Sequence, residues 1–295
     1  MTVSGHSQPA SPVLLDGKQM SGVLLASLTD DIAGLKQQTG VTPRLVVILV
    51  GEDPASQVYV NKKAKVARSI GMASDVIVLP ADIPAEVLQG QIAELNADAT
   101  VHGILVQLPL PRHLNSLAIL SGIDPAKDVD GLHPMNMGKL LAGMPDAVEP
   151  CTPRGMMTML HLNKVPVAGK HAVVVGRSNI VGKPIALMLL RENATVTVCH
   201  SRTQNLPEVT RQADILVAAV GIPRFITGDH VKAGVVVLDV GINRVDGKLV
   251  GDVDAQSVSA KAALLTPVPG GVGPMTIATL MENTLLQYRR ALKLT

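Results

Sequence analysis

The sequence predicts an α/β fold in two domains, each built on a parallel sheet covered by helices. Three observations carry this expectation. Short runs of Val, Ile and Leu, bounded by Gly and Pro, alternate with helical apolar periods along the chain. The length of 295 residues suits two domains of ordinary size. An apolar content of 47% is enough for real cores, and with one Phe, two Tyr and no Trp those cores must be aliphatic.

Composition excludes several partner classes. A formal charge of +2 is too small to suggest a nucleic-acid or polyanion binder. No window holds about 18 uninterrupted apolar residues, so no membrane span is expected. Met1 to Pro12 is polar, with neither a basic n-region nor an apolar h-region. It reads as a frayed extension of a cytoplasmic protein rather than a signal peptide. Cys151 and Cys199 show neither zinc spacing nor a disulfide framework, which fits a reduced compartment and structural roles. The eight histidines form no credible ligand cluster with carboxylates, so no metal is expected.

The first domain is expected over residues 1–148. Val23, Leu24, Leu28, Ile32 and Leu35 give Met20 to Gln37 a helical period, broken by Gly40 and Pro43. Leu45 to Val50 reads as a buried strand. Asp53 and Pro54 then start a helix, as N-cap oxygen and first-turn proline, and Gly71 stops it. On that helix Tyr59 and Lys63 stand four residues apart on one face. Val66 and Ile70 fall on the same stripe, while Lys65 and Arg68 point away. A tyrosine and a lysine projected inward after a strand are candidate site residues. The alternative is an ordinary core Tyr59 with Lys63 snorkelling to solvent.

Val76 to Leu79 is the next strand, and Pro84 opens a helix with Val87, Leu88, Ile92 and Leu95 on one side. Val101 to Gln107 is the third strand. In open α/β sheets ligands bind outside the carboxyl ends of strands, where both Gln107 and the loop into the Tyr59 helix lie. Pro109 and Pro111 stiffen the exit. Asp124 to Gly131 is a loop, and in an extended segment its Asp128 and Asp130 would face the same way. It lacks the spacing and terminal Glu of a calcium loop. A carboxylate there suits a substrate with an amino-pyrimidine edge, because it accepts paired N–H donors. A solvated turn is the alternative.

The second domain is expected over 149–273. Thr152 as N-cap and Pro153 in the first turn start a helix to about Leu162. His171 to Val175 is a strand, Gly176 to Pro184 a glycine-rich turn, Ile185 to Arg191 a helix, and Thr195 to Cys199 the next strand. This is the first βαβ unit of a Rossmann-type, doubly wound parallel sheet, although its glycines do not follow G-x-G-x-x-G. Gly176 permits the tight turn, Gly182 permits close helix packing, and the helix N-terminus offers N–H groups to a phosphate. An NAD enzyme usually places an acid after the second strand. Here Cys199-His-Ser-Arg-Thr203 has none, and Arg177, Ser201 and Arg202 suit a 2′-phosphate, which favours NADP. His200 is a phosphate or packing contact, or less simply a base. Ile215–Val220 and Val235–Val240 are further strands, and Ile242 follows the second of them directly. Asp246-Gly247 marks a hairpin that covers an edge or meets a second subunit. Leu264 and Leu265 end a last strand, and Thr266 to Pro274 is a loop whose backbone can approach a flat ligand. A helix from Met275 to Arg290, within a segment 274–295, is expected to pack back on the first domain.

Taken together, six stretches resemble the bifunctional methylenetetrahydrofolate dehydrogenase/methenyltetrahydrofolate cyclohydrolase family. They are Tyr59-Val-Asn-Lys-Lys63, Gly103-Ile-Leu-Val-Gln-Leu-Pro-Leu-Pro111, Lys127-Asp-Val-Asp-Gly131, Pro150-Cys-Thr-Pro-Arg-Gly155, Gly176-Arg-Ser178 with Val181-Gly-Lys-Pro184, and Pro267 to Thr276. The resemblance implies two α/β domains with a folate cleft between them and NADP on the second. It implies oxidation of 5,10-methylenetetrahydrofolate, then hydrolysis of the methenyl product to 10-formyltetrahydrofolate, in a homodimer.

By matching motif positions, the resemblance implies Lys63 as the catalytic lysine, with Gln107 holding it and helping to polarise the reacting centre. Ser56 is expected to support Lys63, Tyr59 to orient the folate rings and Asp130 to grip the pterin. Leu108 and the segment Pro269, Gly270, Gly271 and Val272 are expected to line the substrate. Gly176, Arg177, Ser178, Ile180, Val181, Ser201, Arg202 and Ile242 are expected to contact the nucleotide. Proton transfer near neutral pH needs a group able to hold and release a proton there. A cationic substrate beside an amine favours the neutral amine. The rivals are a dehydrogenase without the hydrolase activity, favoured by loss of Lys63 or Gln107, and a non-catalytic nucleotide-binding protein, favoured by loss of the first domain's polar groups. Lys63, Gln107 and Asp130 are all present.

Overall fold

The computed structural model describes residues 12–294. The polar extension up to Ser11 lies outside the described residues. In chain order the elements are β1 (Val13–Leu14), α1 (Gly17–Thr39), β2 (Arg44–Val50), α2 (Pro54–Ser69), β3 (Ala73–Leu79), α3 (Ala85–Ala97), β4 (Gly103–Val106), α4 (Ser116–Leu120), α5 (Pro134–Leu141) and α6 (Cys151–Leu162). They continue with β5 (His171–Val175), α7 (Gly182–Arg191), β6 (Thr195–Cys199), α8 (Leu206–Thr210), β7 (Ile215–Ala218), β8 (Val236–Asp239), β9 (Asn243–Val245), β10 (Lys248–Val250), α9 (Ala255–Ser259), β11 (Leu264–Leu265) and α10 (Val272–Ala291). The chain forms two compact units. Among the described residues, one unit holds Ser21–Gly155 and residues 276–294; the other holds Met156–Met275 and residues 12–20.

The unit holding Ser21–Gly155 is built on a three-stranded parallel sheet in the order β3-β2-β4. Its central strand, β2, is buried on both faces, and alternate residues serve separate cores. Leu45, Val47 and Leu49 pack with α1, α2 and α10, whereas Val46, Ile48 and Val50 pack with α3 and α4. That explains why β2 is an unbroken apolar run: in a parallel sheet with helices on both sides neither face meets water. α10 supplies Ile277, Leu280, Met281, Leu285 and Tyr288 to the first of these cores. Tyr288 is fully buried, and its hydroxyl donates to the Val41 carbonyl at 3.0 Å.

The unit holding Met156–Met275 carries a six-stranded parallel sheet in the order β1-β11-β8-β7-β5-β6, with β5 between β6 and β7. β9 and β10 pair only with each other, antiparallel, around Asp246 and Gly247 at φ 49° and 75°. Two consecutive left-handed residues are what a two-residue hairpin of this twist requires.

Four local expectations change. β1 pairs with β11 and puts residues 13–20 in the Rossmann-type unit, not in the first domain. Its two side chains are exposed, so backbone pairing alone holds it and no apolar pattern announces it. α6 begins at Cys151, and the Thr152 hydroxyl pairs with Thr276 Oγ1 at 3.1 Å rather than capping the helix. The buried stripe of α2 is Ser56, Val60, Ala64 and Ala67, one position round from the expected one. Tyr59, Lys63 and Val66 lie half-buried at its margin. α10 starts at Val272, so that residue is helical rather than part of a loop.

Gly131 and Gly143 provide a test of backbone constraint within one unit. Both have positive φ, 72° and 69°. A Cβ on Gly131 would stand 2.6 Å from the Glu149 carbon and the Pro150 nitrogen, whereas one on Gly143 would meet nothing within 4 Å. Gly143→Ala is expected to cost about 1–2 kcal/mol for the left-handed backbone alone. Gly131→Ala is expected to add about 1–3 kcal/mol of overpacking. Urea unfolding of the two variants measures the difference, and equal losses would overturn the close approach of residue 131 to residues 149–150.

Candidate functional site

Lys63 and Gln107 are brought together at the carboxyl ends of β2 and β4. The β2–β4 register sets Ile48 opposite Val106, and the next residue, Gln107, donates its backbone N–H to the Ile48 carbonyl at 2.8 Å. α2 starts where the Asp53 carboxylate caps it, accepting the Ser56 N–H at 2.8 Å. Both hydrogen bonds from Ser56, through its N–H and its hydroxyl, hold the Asp53 carboxyl below its ordinary value. Nearly three turns into this helix, Lys63 Nζ donates to Gln107 Oε1 at 2.9 Å. Gln107 Nε2 donates to the Leu108 carbonyl at 2.6 Å, which fixes which way the amide faces. Ser56 is therefore engaged with Asp53, and the amine partner recorded for Lys63 is Gln107. Tyr59 lies half-buried one turn before Lys63. Leu108 packs against the α3-side core.

Asp130 reaches the same neighbourhood through Cys151. The Cys151 thiol is pushed well above its ordinary value, first by burial and next by the Asp130 carboxylate, while the Lys63 ammonium pulls it down. The backbone joins Asp130 to this cysteine directly, the Asp130 carbonyl accepting the Cys151 N–H at 3.3 Å. The thiol stays protonated and points to the Val129 carbonyl at 3.2 Å.

Asp128 does not share the direction of Asp130, because the segment is not extended. Asp128 is 1% exposed, and its carboxylate accepts N–H groups from Gly131, Leu132 and His133 at 3.0, 3.3 and 2.9 Å. It also accepts Asn136 Nδ2 at 2.8 Å. Burial raises its pKa, and the bonds from Asn136, His133 and Leu132 oppose the rise. Asp128 shapes the loop and Asp130 is presented by it, a division that alternation along the chain cannot reveal.

The Rossmann-type unit holds the expected nucleotide residues. Gly176 adopts φ 128°, and a Cβ there would lie 2.1 Å from the Ala219 carbonyl oxygen, so the turn after β5 needs a residue without one. The start of α7 differs from the expectation of free N–H groups. Ser178 Oγ accepts the N–H groups of Val181 and Gly182 at 3.2 and 3.3 Å. Ser178 thus takes the N–H groups of the N-cap residue Val181 and of the first helical residue, Gly182, which leaves anion attraction to the helix dipole and to nearby side chains. Arg177, Ile180, Ser201 and Arg202 are exposed. After β6, His200 Nδ1 accepts the Arg202 N–H at 3.2 Å, and Thr203 Oγ1 accepts the His200 N–H at 2.9 Å. That use of Nδ1 makes His200 a turn-forming residue that presents Ser201 and Arg202 outward. An exposed arginine pair with a hydroxyl, and no carboxylate, suits a phosphate.

Ile242 is 48% exposed, and its loop is shaped by two acids that sequence patterning did not single out. Asp239 accepts N–H groups from Gly241, Asp252 and Val253 at 2.9, 2.9 and 3.0 Å. Burial raises its pKa to about 6, against the pull of those bonds. Asp252 accepts the N–H groups of Val220 and Gly221 at 2.6 and 2.9 Å. The only sequence signal was a nearby glycine: Asp252 directly follows Gly251, and Asp239 stands two residues before Gly241. In the same unit, Lys18 N–H donates to the Gly270 carbonyl at 2.9 Å, and Gly271 N–H to the Pro267 carbonyl at 2.8 Å. Pro269 is exposed, Gly270 half-buried, and Gly271 and Val272 buried. Among the described residues, no group of three or more His, Cys, Asp or Glu could hold a metal ion, and no helix is long and apolar enough to cross a membrane.

Known proteins match this arrangement over nearly the whole chain. The family model for the tetrahydrofolate dehydrogenase/cyclohydrolase catalytic domain matches residues 15–130, and that for its NAD(P)-binding domain matches residues 150–292. The bifunctional protein FolD of Halalkalibacterium halodurans is 56% identical over 275 residues, covering 93% of this chain and 98% of that protein. The FolD of Exiguobacterium sibiricum is 54% identical over 273 residues, covering 92% and 98%. The crystal structure of the bifunctional FolD enzyme from Campylobacter jejuni superposes with a TM-score of 0.93 at 49% identity, covering 95% of this chain and 99% of that one. The Trypanosoma brucei enzyme, solved with NADP cofactor and an inhibitor, gives 0.93 at 38% identity and covers 96% and 99%. On these matches the chain belongs to the tetrahydrofolate dehydrogenase/cyclohydrolase family.

Proposed function

We propose that this chain is an NADP-dependent methylenetetrahydrofolate dehydrogenase and methenyltetrahydrofolate cyclohydrolase whose chemistry is carried by Lys63 and Gln107. The observation that carries the assignment of roles is the 2.9 Å bond from Lys63 Nζ to Gln107 Oε1. Family membership supports the two reactions. The Asp130 carboxylate accepts paired N–H groups of the pterin, and Tyr59 packs on the ring system. Leu108 lines the folate.

In the oxidation, the residues hold the bridging methylene in place, and no side chain has to give it a proton. Bound NADP⁺ supplies the nicotinamide that accepts the hydride. Gly176, Arg177, Ser178, Ile180, Val181, Ser201, Arg202 and Ile242 are assigned to hold the nucleotide. The hairpin end of the same unit, with β9 and β10 paired only to each other, supports a homodimer.

In the hydrolysis, water adds to the methenyl carbon and Lys63 takes the proton released by the attacking oxygen. The carbon–N5 bond then breaks as the added hydroxyl becomes the formyl C=O, its proton passing to N5; the formyl group remains on N10, and the proton on Lys63 is released to solvent. Gln107 keeps the amine aimed by accepting one of its N–H groups, which leaves the other positions of Nζ for water and substrate.

Two measurements test this. Lys63→Met keeps the stem and removes the amine. Cyclohydrolase activity is expected to fall by about 10² or more, the usual worth of general acid–base catalysis, and dehydrogenase activity to fall less. Methenyltetrahydrofolate then accumulates at its own absorbance; wild-type hydrolysis by the folded variant would overturn the role of Lys63. For the nucleotide, the charged contacts at Arg177 and Arg202 predict a preference for NADP⁺ over NAD⁺ of more than about tenfold in kcat/KM. Equal efficiency with both would remove the assignment of that strand end to a 2′-phosphate.

A further inference from the structure

We propose that Asn283, far along the chain on α10, is a positioning residue for folate binding that acts through Asp130. The inference rests on the reading above that Asp130 grips the pterin. Asn283 is fully buried. Its Nδ2 donates to the Val129 carbonyl and to the Glu149 carbonyl, both at 2.9 Å, so one amide group ties two chain segments together. Its Oδ1 accepts Arg154 Nη1 at 2.5 Å. That charged donor holds the oxygen on its own side and leaves both amide hydrogens facing the carbonyls.

One of these segments carries Asp130, and the other, at Glu149–Pro150, lies against the residue after it. Val129 precedes it, and the Val129 carbonyl takes a second donor from the Cys151 thiol at 3.2 Å. Gly131 follows it, held by Asp128 Oδ1 at 3.0 Å and lying against the Glu149–Pro150 backbone without room for a Cβ. The Asp130 carbonyl itself accepts the Cys151 N–H at 3.3 Å. The backbone of Asp130 is thus clamped before, at and after the residue. Asn283 supplies the bonds that join residues 129 and 149. Asp128 fixes the loop from within; Asn283 fixes it against the start of α6. A carboxylate that must meet two N–H groups at once loses binding when its backbone swings by a fraction of an ångström, because both bonds depend on direction.

Removing the amide takes a donor from the buried Val129 carbonyl and from the half-buried Glu149 carbonyl and frees the Asp130 backbone, while the residues assigned to the nucleotide lie in the other compact unit. Asn283→Ala is expected to raise the KM for methylenetetrahydrofolate by about tenfold and to leave the KM for NADP⁺ within about twofold, a split that uniform structural damage does not produce. Asn283→Ser, which keeps one donor, is the milder variant and should fall between the two. The decisive measurement is a cycle with Asp130→Ala. If Asn283 acts through Asp130, the double variant has the folate KM of Asp130→Ala within about twofold, since the positioned group is already gone.

Independent, multiplying effects of the two substitutions would overturn the inference, as would equal rises in both KM values. An unchanged folate KM in Asn283→Ala, with Asp130→Ala still impaired, would overturn the role of Asn283 alone. An unchanged folate KM in Asp130→Ala would instead overturn the assignment of Asp130 to the pterin.

Discussion

The hydrogen bond between Lys63 and Gln107 depends on three separate pieces of the fold meeting at one point. The β2–β4 register decides where Gln107 leaves the sheet. The Asp53 cap decides where α2 begins and hence which turn carries Lys63. The bond from Gln107 to the Leu108 carbonyl decides which end of the amide meets the amine. A slip of one residue in β4 would turn Gln107 to the opposite face of the sheet. That register is well specified, because Leu105 packs on one core while Ile104 and Val106 pack on the other. Aliphatic packing that never touches a substrate therefore sets the distance between two polar groups.

Buried carboxylates do a second kind of positioning. Asp128 in one unit and Asp239 in the other are almost inaccessible, and both have raised pKa values because burial disfavours their charge. Each is stabilised by several backbone N–H donors, those of Asp128 from residues 131–133 and those of Asp239 from Gly241 and, past the hairpin, Asp252 and Val253. Burying an acid costs free energy unless such donors surround it, so the loop that provides them has few other conformations to adopt. In the first unit the result is the loop carrying Asp130; in the second it is the loop carrying Ile242. The acids that organise the loops are distinct from the residues the loops display. That separation lets the displayed residue remain open to a ligand.

The cysteines and histidines follow the same economy. Cys151 lies among charged groups, but burial keeps its thiol protonated, so it acts as a hydrogen-bond donor to Val129. His200 sits at a strand end beside the basic nucleotide residues and spends Nδ1 on its own turn. A residue type capable of chemistry becomes structural where its reactive atom already has a partner.

Much of this was legible in the amino-acid order. The buried run Leu45–Val50, the Asp53–Pro54 helix start, the βαβ unit around Gly176 and the Asp246–Gly247 hairpin depend on local sterics and periodicity, which act over a few residues. The motifs around Lys63, Gln107 and Asp130 pointed to the family, because their identities and order are written in the chain. Other features needed the tertiary structure. β1 has two exposed side chains and is a strand only because β11 lies beside it. Ser178 takes N–H groups left for a phosphate, and Ser56 turns to Asp53 rather than Lys63. Asn283 acquires its role from two carbonyls more than 130 residues away. The sequence by itself determined the family, the candidate site residues and most of the elements that hold them. Only the tertiary structure decided which partner each polar atom takes, because a hydrogen bond is set by distances and angles of a few tenths of an ångström between segments the chain order does not bring together.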